Sequence, residues 1–174
     1  ALNGGPMDGL ASLDRKSGSL TGLVRAKGVR ASHWLDRLPN GRGELNGDVV
    51  IGLGGKLYAP SMSWQIRAAG RLALKNSREF RNGLVSAAGV MTTDALRVDR
   101  ATVEVGEGVA SIQGSLNWRT GRLEGEGRAN GLSLALLSDQ ISGWGAVTAK
   151  LAGTLDRPVV EGRVEAYDLA GFGR

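Results

Sequence analysis

A period of two governs this chain. From Leu45 to Leu57 every second residue is apolar or glycine: Leu45, Gly47, Val49, Ile51, Leu53, Gly55 and Leu57. Between them stand Glu44, Asn46, Asp48, Val50, Gly52, Gly54 and Lys56, mostly polar or very small. Successive side chains of a strand point to opposite faces, so this spacing builds one greasy face and one wetted face. After a break at Tyr58-Ala59-Pro60 the alternation resumes in the opposite phase. Met62, Trp64, Ile66, Ala68, Gly70, Leu72 and Leu74 now oppose Ser61, Ser63, Gln65, Arg67, Arg71 and Lys75. Two such runs around a short Pro-containing turn read as an antiparallel hairpin.

The same alternation recurs along most of the sequence. Residues 1–16 are turn-rich and are expected to form a frayed opening strand. Leu20, Gly22, Val24, Ala26 and Gly28 then share one face. Val29 to Leu38 departs from the pattern, and the spacing of Trp34, Leu35 and Leu38 predicts a short helix closed by Pro39-Asn40-Gly41. Asn76 to Asn82 reads as a charged turn and Gly83 to Thr92 as a strand. Leu96 and Val98, then Ala101, Val103 and Val105, read as two arms around a bulge or tight turn at Asp99-Arg100. Ala110 to Trp118 and Leu123 to Ala129 form a further alternating pair around Arg119-Thr120-Gly121.

The chain also repeats itself. Ser17-Gly18-Ser19-Leu20-Thr21-Gly22 matches Thr120-Gly121-Arg122-Leu123-Glu124-Gly125 at an offset of 103, and Arg25-Ala26-Lys27-Gly28 matches Arg128-Ala129-Asn130-Gly131 at the same offset. At an offset of 98, Leu53-Gly54-Gly55-Lys56-Leu57 with Pro60 matches Leu151-Ala152-Gly153-Thr154-Leu155 with Pro158. The offset changes inside Leu132 to Gln140, expected to be the counterpart of the first helix. The related units cover about 17–75 and 120–174, within a single domain spanning 1–174. Repetition at the level of strands points to an architecture that grows by addition.

Composition narrows the function classes. The 174 residues include no cysteine, which excludes disulfides, thiol nucleophiles and thiolate metal sites. The net charge of +5 raises nucleic acid as a partner. Arg25, Lys27, Arg67, Arg71, Arg122, Arg128 and Arg163, however, fall on the polar face of separate strands, interleaved with Glu124, Glu126, Glu161 and Glu165, so nucleic acid is not expected. No apolar run reaches the roughly 18 residues that a membrane-spanning helix needs. The chain opens at Ala1 and is expected to be a portion of a longer protein.

No pattern carries chemistry. The single histidine, His33, has no second histidine or cysteine to join it, and the neighbouring Asp36 and Arg37 read as helix-surface charges. Gly41-Arg42-Gly43, Gly125-Glu126-Gly127 and Gly143-Trp144-Gly145 do not complete a phosphate-binding fingerprint. Glu124 and Glu126 share an Arg-laced face. No catalytic residue, metal or cofactor is expected.

The apolar face remains. Its runs are about 10 residues or more, against a usual strand length of about 5–6. Glycine recurs on that face at Gly22, Gly47, Gly55, Gly70, Gly114, Gly125 and Gly127, where a filled core would carry bulk. The chain is therefore expected to be all-β with one or two short helices: an elongated, curled, antiparallel-rich sheet, a half-barrel with a hydrophobic concave face. A closed-core β-solenoid or sandwich, acting as scaffold or adhesion module, is the alternative.

The segment Leu151-Ala152-Gly153-Thr154-Leu155-Asp156-Arg157-Pro158-Val159-Val160-Glu161-Gly162-Arg163-Val164, and its sibling Leu53 to Ile66, follow the pattern Leu-x-Gly-x-Leu-x-x-Pro-x-x-x-Gly-x-Val, with Trp64 at the sibling's last glycine. In this the chain resembles the TamB family from about Ser17 onward, and more loosely the AsmA-like proteins. The resemblance implies a β-taco with a hydrophobic lumen, in the periplasm of a Gram-negative bacterium and anchored in the inner membrane through a region not present here. It implies a TamA-like outer-membrane barrel of the Omp85 type as partner, and roles in outer-membrane protein assembly, including autotransporters, and in phospholipid transport. It implies no catalytic residue. The expected groove residues for acyl chains or unfolded clients are Leu53, Leu57, Ile66, Leu151, Leu155 and Val164, extended by alternation to Val49, Ile51, Met62 and Trp64.

Overall fold

The computed structural model describes residues 5–30, 41–74, 81–133 and 142–170. These form ten strands in one antiparallel sheet whose spatial order is the sequence order. The strands are β1 Met7–Asp14, β2 Ser19–Arg30, β3 Gly41–Lys56, β4 Ala59–Leu74 and β5 Arg81–Thr92. They continue as β6 Ala95–Val105, β7 Gly108–Asn117, β8 Leu123–Ser133, β9 Ser142–Thr154 and β10 Arg157–Ala170. The sheet is not closed into a barrel. The closed core that a sandwich or solenoid requires is not formed by the described residues.

Each strand packs on its neighbours in sequence, and no second layer of described residues covers the sheet. The consequence is measured in surface. The chain exposes 12466 Å², whereas a compact monomer of 18.2 kDa exposes about 8,100 Å². Leu45, Ala68 and Ala129 are the only buried apolar residues among those described.

Apolar residues meet across successive strands. Val24 stands opposite Ile51, Ile51 opposite Trp64, Trp64 opposite Gly89 and Gly89 opposite Val98. The expected hairpin is the β3–β4 pair, turned at Leu57-Tyr58, with Ala59 and Pro60 already in β4. The opening segment is an edge strand over Met7–Asp14. Arg81 and Asn82 belong to β5 rather than to the expected charged turn; the remainder of that turn lies outside the described residues.

Bulges explain where the alternation loses phase. Between Ala26 and Val29, β2 spends one residue more than β3, and between Ala129 and Leu132, β8 spends one more than β9. Gly28 and Gly131 sit at these points with φ of 64° and 62°, the left-handed conformation of a glycine bulge. The Gly28 amide donates to Asp48 Oδ1 at 3.2 Å. Val29 and Arg30 therefore stay in β2, and Leu132 and Ser133 in β8, instead of opening the two expected helices. The rest of both helical segments, with His33, Asp36 and Arg37, lies outside the described residues. The pair at Asp99-Arg100 is likewise a bulge: β6 is one strand that spends an extra residue between Val98 and Ala101.

The two units are alike in geometry. The Leu57 amide donates to the Gly18 carbonyl at 2.9 Å, and the Leu155 amide to the Gly121 carbonyl at 2.9 Å. Gly18 and Gly121 have φ of 65° and 70°. In the first turn Asp14 accepts from the Lys16 amide at 2.9 Å and the Ser17 hydroxyl at 2.6 Å. Those bonds, the Ser17 hydroxyl first, hold its carboxyl below the usual aspartate range. Asn117 does the same work in the other unit, accepting from the Thr120 amide at 3.0 Å. The likeness also takes in β1 and β7, where Ser12-Leu13-Asp14 corresponds to Ser115-Leu116-Asn117. The sheet is thus two four-stranded units, β1–β4 and β7–β10, joined by the β5–β6 hairpin.

A Cβ at Gly28 would meet nothing nearer than the Gly5 amide nitrogen at 4.0 Å, an ordinary contact, so Gly28→Ala isolates the cost of the left-handed backbone. We expect it to lower stability by about 1 kcal/mol in urea unfolding. An unchanged midpoint would show that β2 runs straight in solution.

Candidate functional site

The apolar side of the sheet is one continuous surface over all ten strands. Its largest stripe runs across neighbouring strands near the tight-turn rim: Leu53, Met62, Met91, Leu96, Leu116 and Leu123. All residues that are buried among those described (Leu45, Ala68, Gly83, Gly89, Gly108, Ala129 and Gly145) lie on this side. Several large side chains on it nevertheless stay open to water, Ile112 at 60%, Val160 at 68% and Val164 at 64%. Exposed apolar surface on this scale is more than a monomer's exterior ordinarily carries.

Glycines show which way the sheet bends. A Cβ at Gly47 would lie 2.5 Å from Ala68 Cβ on the next strand, and one at Gly89 would lie 2.6 Å from Trp64 Cζ2. At Gly114 it would come within 2.6 Å of the Glu124 carbonyl oxygen. Facing Cβ atoms of paired strands ordinarily stand about 4.5–5.5 Å apart. On the opposite face a Cβ at Gly52 or Gly54 would meet only the rotatable tip of a serine, Ser63 Oγ at 2.5 Å and Ser61 Oγ at 3.4 Å, and no backbone. The strands converge on the apolar side, so that side is the inside of the bend. Glycine at Gly47 and Gly89 is what lets them approach, and the Trp64 indole occupies the room above Gly89.

Eight of the ten expected groove residues lie on this face. Val49, Ile51 and Leu53 of β3 stand directly opposite Ile66, Trp64 and Met62 of β4. Leu151 of β9 faces Val160, and Val164 of β10 faces Val147. Leu57 and Leu155 do not belong with them: they occupy the β3–β4 and β9–β10 turns, 63% and 55% exposed, where their amides tie neighbouring turns together. Met91, Leu96, Leu116 and Leu123, together with Val85 and Val103, belong to the face but were not expected as groove residues. Their own alternation was the available signal.

The other face carries the charges, interspersed with exposed apolar side chains such as Leu10, Leu23, Leu84 and Val109. Arg97–Asp99, Arg119–Asp94, Arg122–Glu124 and Arg163–Glu165 are ion pairs at 2.5–2.9 Å, all well exposed and so of little weight for stability. Glu126 accepts from Gln113 Nε2 at 2.7 Å. Glu124 and Glu126 are thus each engaged by a neighbour. Among the described residues no group of three or more His, Cys, Asp or Glu is placed to hold a metal ion, and no helix is long and apolar enough to cross a membrane. On β10, Tyr167 Oη donates to Glu165 Oε2 at 2.6 Å, and this bond raises the phenol above its ordinary range. No family model matches the sequence, no curated protein matches it, and no solved structure matches it.

A carboxylate that accepts the phenol proton favours the neutral phenol. Glu165→Gln is therefore expected to lower the Tyr167 pKa, read as tyrosinate absorbance against pH. Superimposable titrations of the two proteins would mean that the bond does not hold in solution.

Proposed function

We propose that this chain is a non-catalytic periplasmic groove protein of the TamB type. In this reading its concave apolar face shields or conducts phospholipid acyl chains, or unfolded outer-membrane protein clients, during outer-membrane biogenesis. The observation that carries the reading is the uncovered apolar face itself, continuous over ten strands and rimmed by a charged outer side. An acyl chain gains about 0.8 kcal/mol for each buried CH2 and asks for no directional contact, so it can slide along such a face. Backbone polar groups within the sheet are already paired in the ladder, which leaves the face nothing to offer but apolar contact. A polypeptide client has a different route, addition to the free edge of β1 or β10. The partner in this reading is a TamA-like outer-membrane barrel, with the protein held to the inner membrane.

Adjacent residues of β4 supply the test. Trp64 stands in the apolar face and Gln65 in the charged one. With a photo-crosslinking amino acid at each position in turn, we expect the Trp64 position to capture lipid in cells and the Gln65 position not to. Capture of an unfolded barrel protein at Trp64 would select the client over the lipid. Equal capture at both positions would sink the groove reading.

A further inference from the structure

The charged face contains a cluster that the groove does not use. Reading straight across five strands, the register sets Arg67 opposite Ser86, Ser86 opposite Thr102, Thr102 opposite Ser111 and Ser111 opposite Arg128. Three adjacent hydroxyl residues are thus bracketed by two arginines. A third arginine, Arg100, lies on the strand of Thr102 at the β6 bulge, the kind of device that re-aims a side chain. It lines two depressions of the surface at once, one with Asp48, Arg67 and Ser86, the other with Ser111, Glu126 and Arg128.

Arginines without an ion pair also stand elsewhere on this face, Arg25 and Arg71 among them, but only here do three of them border a row of hydroxyls. Arg97, Arg119, Arg122 and Arg163 are held in ion pairs, whereas Arg67, Arg100 and Arg128 have no carboxylate partner among the described residues. Two acids border the cluster and are engaged by other groups: Asp48, directly opposite Arg67 in the register, accepts from the Gly28 amide, and Glu126, two residues from Arg128, accepts from Gln113. Glu104, two residues beyond Thr102, borders the cluster on the side away from Arg100. Ser86 and Thr102 share a hydrogen bond at 2.5 Å and are half-buried, so one proton of the pair remains free to point outward. Strands stand about 4.8 Å apart, which puts Arg67 and Arg128 each about 10 Å from Thr102, within the reach of extended guanidinium arms.

We propose that this cluster is a phosphate-binding site, seating a phosphate group over Thr102. The hydroxyls of Ser86, Thr102 and Ser111 form its floor, and Arg67, Arg100 and Arg128 close over it. Guanidinium forks match phosphate oxygens two at a time, and hydroxyls supply the remaining donors. The phosphate belongs either to a lipid headgroup at a membrane surface or to a small soluble phosphoanion. The site is on the opposite face from the groove and does not depend on it.

Amide chemical shifts during titration with inorganic phosphate test the site, and flotation with vesicles of phosphatidylglycerol identifies the source. Phosphate is expected to move the amides of Ser86, Thr102 and Ser111 most. Arg67→Gln, Arg100→Gln and Arg128→Gln together are expected to weaken binding by about tenfold or more, and Thr102→Val by about threefold. The control, Arg97→Gln with Arg119→Gln and Arg163→Gln, removes the same charge and is expected to change binding less than twofold. Vesicle binding that free phosphate competes away assigns the site to a headgroup; phosphate binding without vesicle binding assigns it to a soluble anion. Equal weakening by the control, shifts spread evenly over the face, or no binding of either probe overturns the site. Circular dichroism of each variant separates lost binding from lost folding.

Discussion

Everything in this molecule follows from the sheet having a single layer. A strand in an ordinary β-domain is held by its two neighbours and by a second layer packed on its apolar face. Here the second contribution is absent over the described residues, so cohesion rests on the ladder and on cross-strand pairs such as Ile51 with Trp64 and Leu53 with Met62. Each such pair contributes only fractions of a kcal/mol to about 1 kcal/mol. A sheet held this way needs many long strands in register, and β3 and β4 supply sixteen residues each. It also leaves its apolar side in water, a cost that a bound apolar chain would offset.

Long, flat strands aggregate readily, and the bends built into these strands answer that risk. Bulges at Gly28, Asp99-Arg100 and Gly131 shift the phase of the alternation while returning apolar residues to the same side, as Val29 returns opposite Gly47. Glycines on the apolar side let the backbones close on each other, as at Gly47 against Ala68. Together they make an open sheet whose apolar face is the inner one. The two edges remain: β1 and β10 are each paired on one side only. Within the sheet, the counterparts of these edge strands, β7 and β4, are covered by β6 and β5. The repeat is thus of a kind that can be extended by further strands at either edge.

Most of the apolar face was legible before any coordinates. Alternation assigned Val49, Ile51, Leu53, Met62, Trp64 and Ile66 to one side because a strand's side-chain period is two whatever surrounds it. Leu57 and Leu155 continued that count by sequence but fall in turns, since the alternating pattern does not say where a strand stops. Val29 and Leu132 misled in another way. A one-residue loss of phase is the mark of a bulge, yet read along the chain it also fits the start of a helix. Only the partner strand, with one residue fewer across the same interval, separates the two. The match between β1 and β7 is faint in sequence because it rests on three residues, Ser12-Leu13-Asp14 against Ser115-Leu116-Asn117, and gains meaning from the equivalent turns that follow.

By itself the sequence determined that this chain is a sheet with one greasy and one charged face, built from two related units, without cysteine chemistry. Those properties are local: period, composition and turn residues act within a few positions of each other. Only the tertiary structure decided that the sheet stays open, which side is the inside of its bend, and that Arg67 and Arg128 end a row of three hydroxyl residues across five strands. Those depend on register between strands far apart in the chain, and a one-residue shift in any ladder would have sent each of those side chains to the other face.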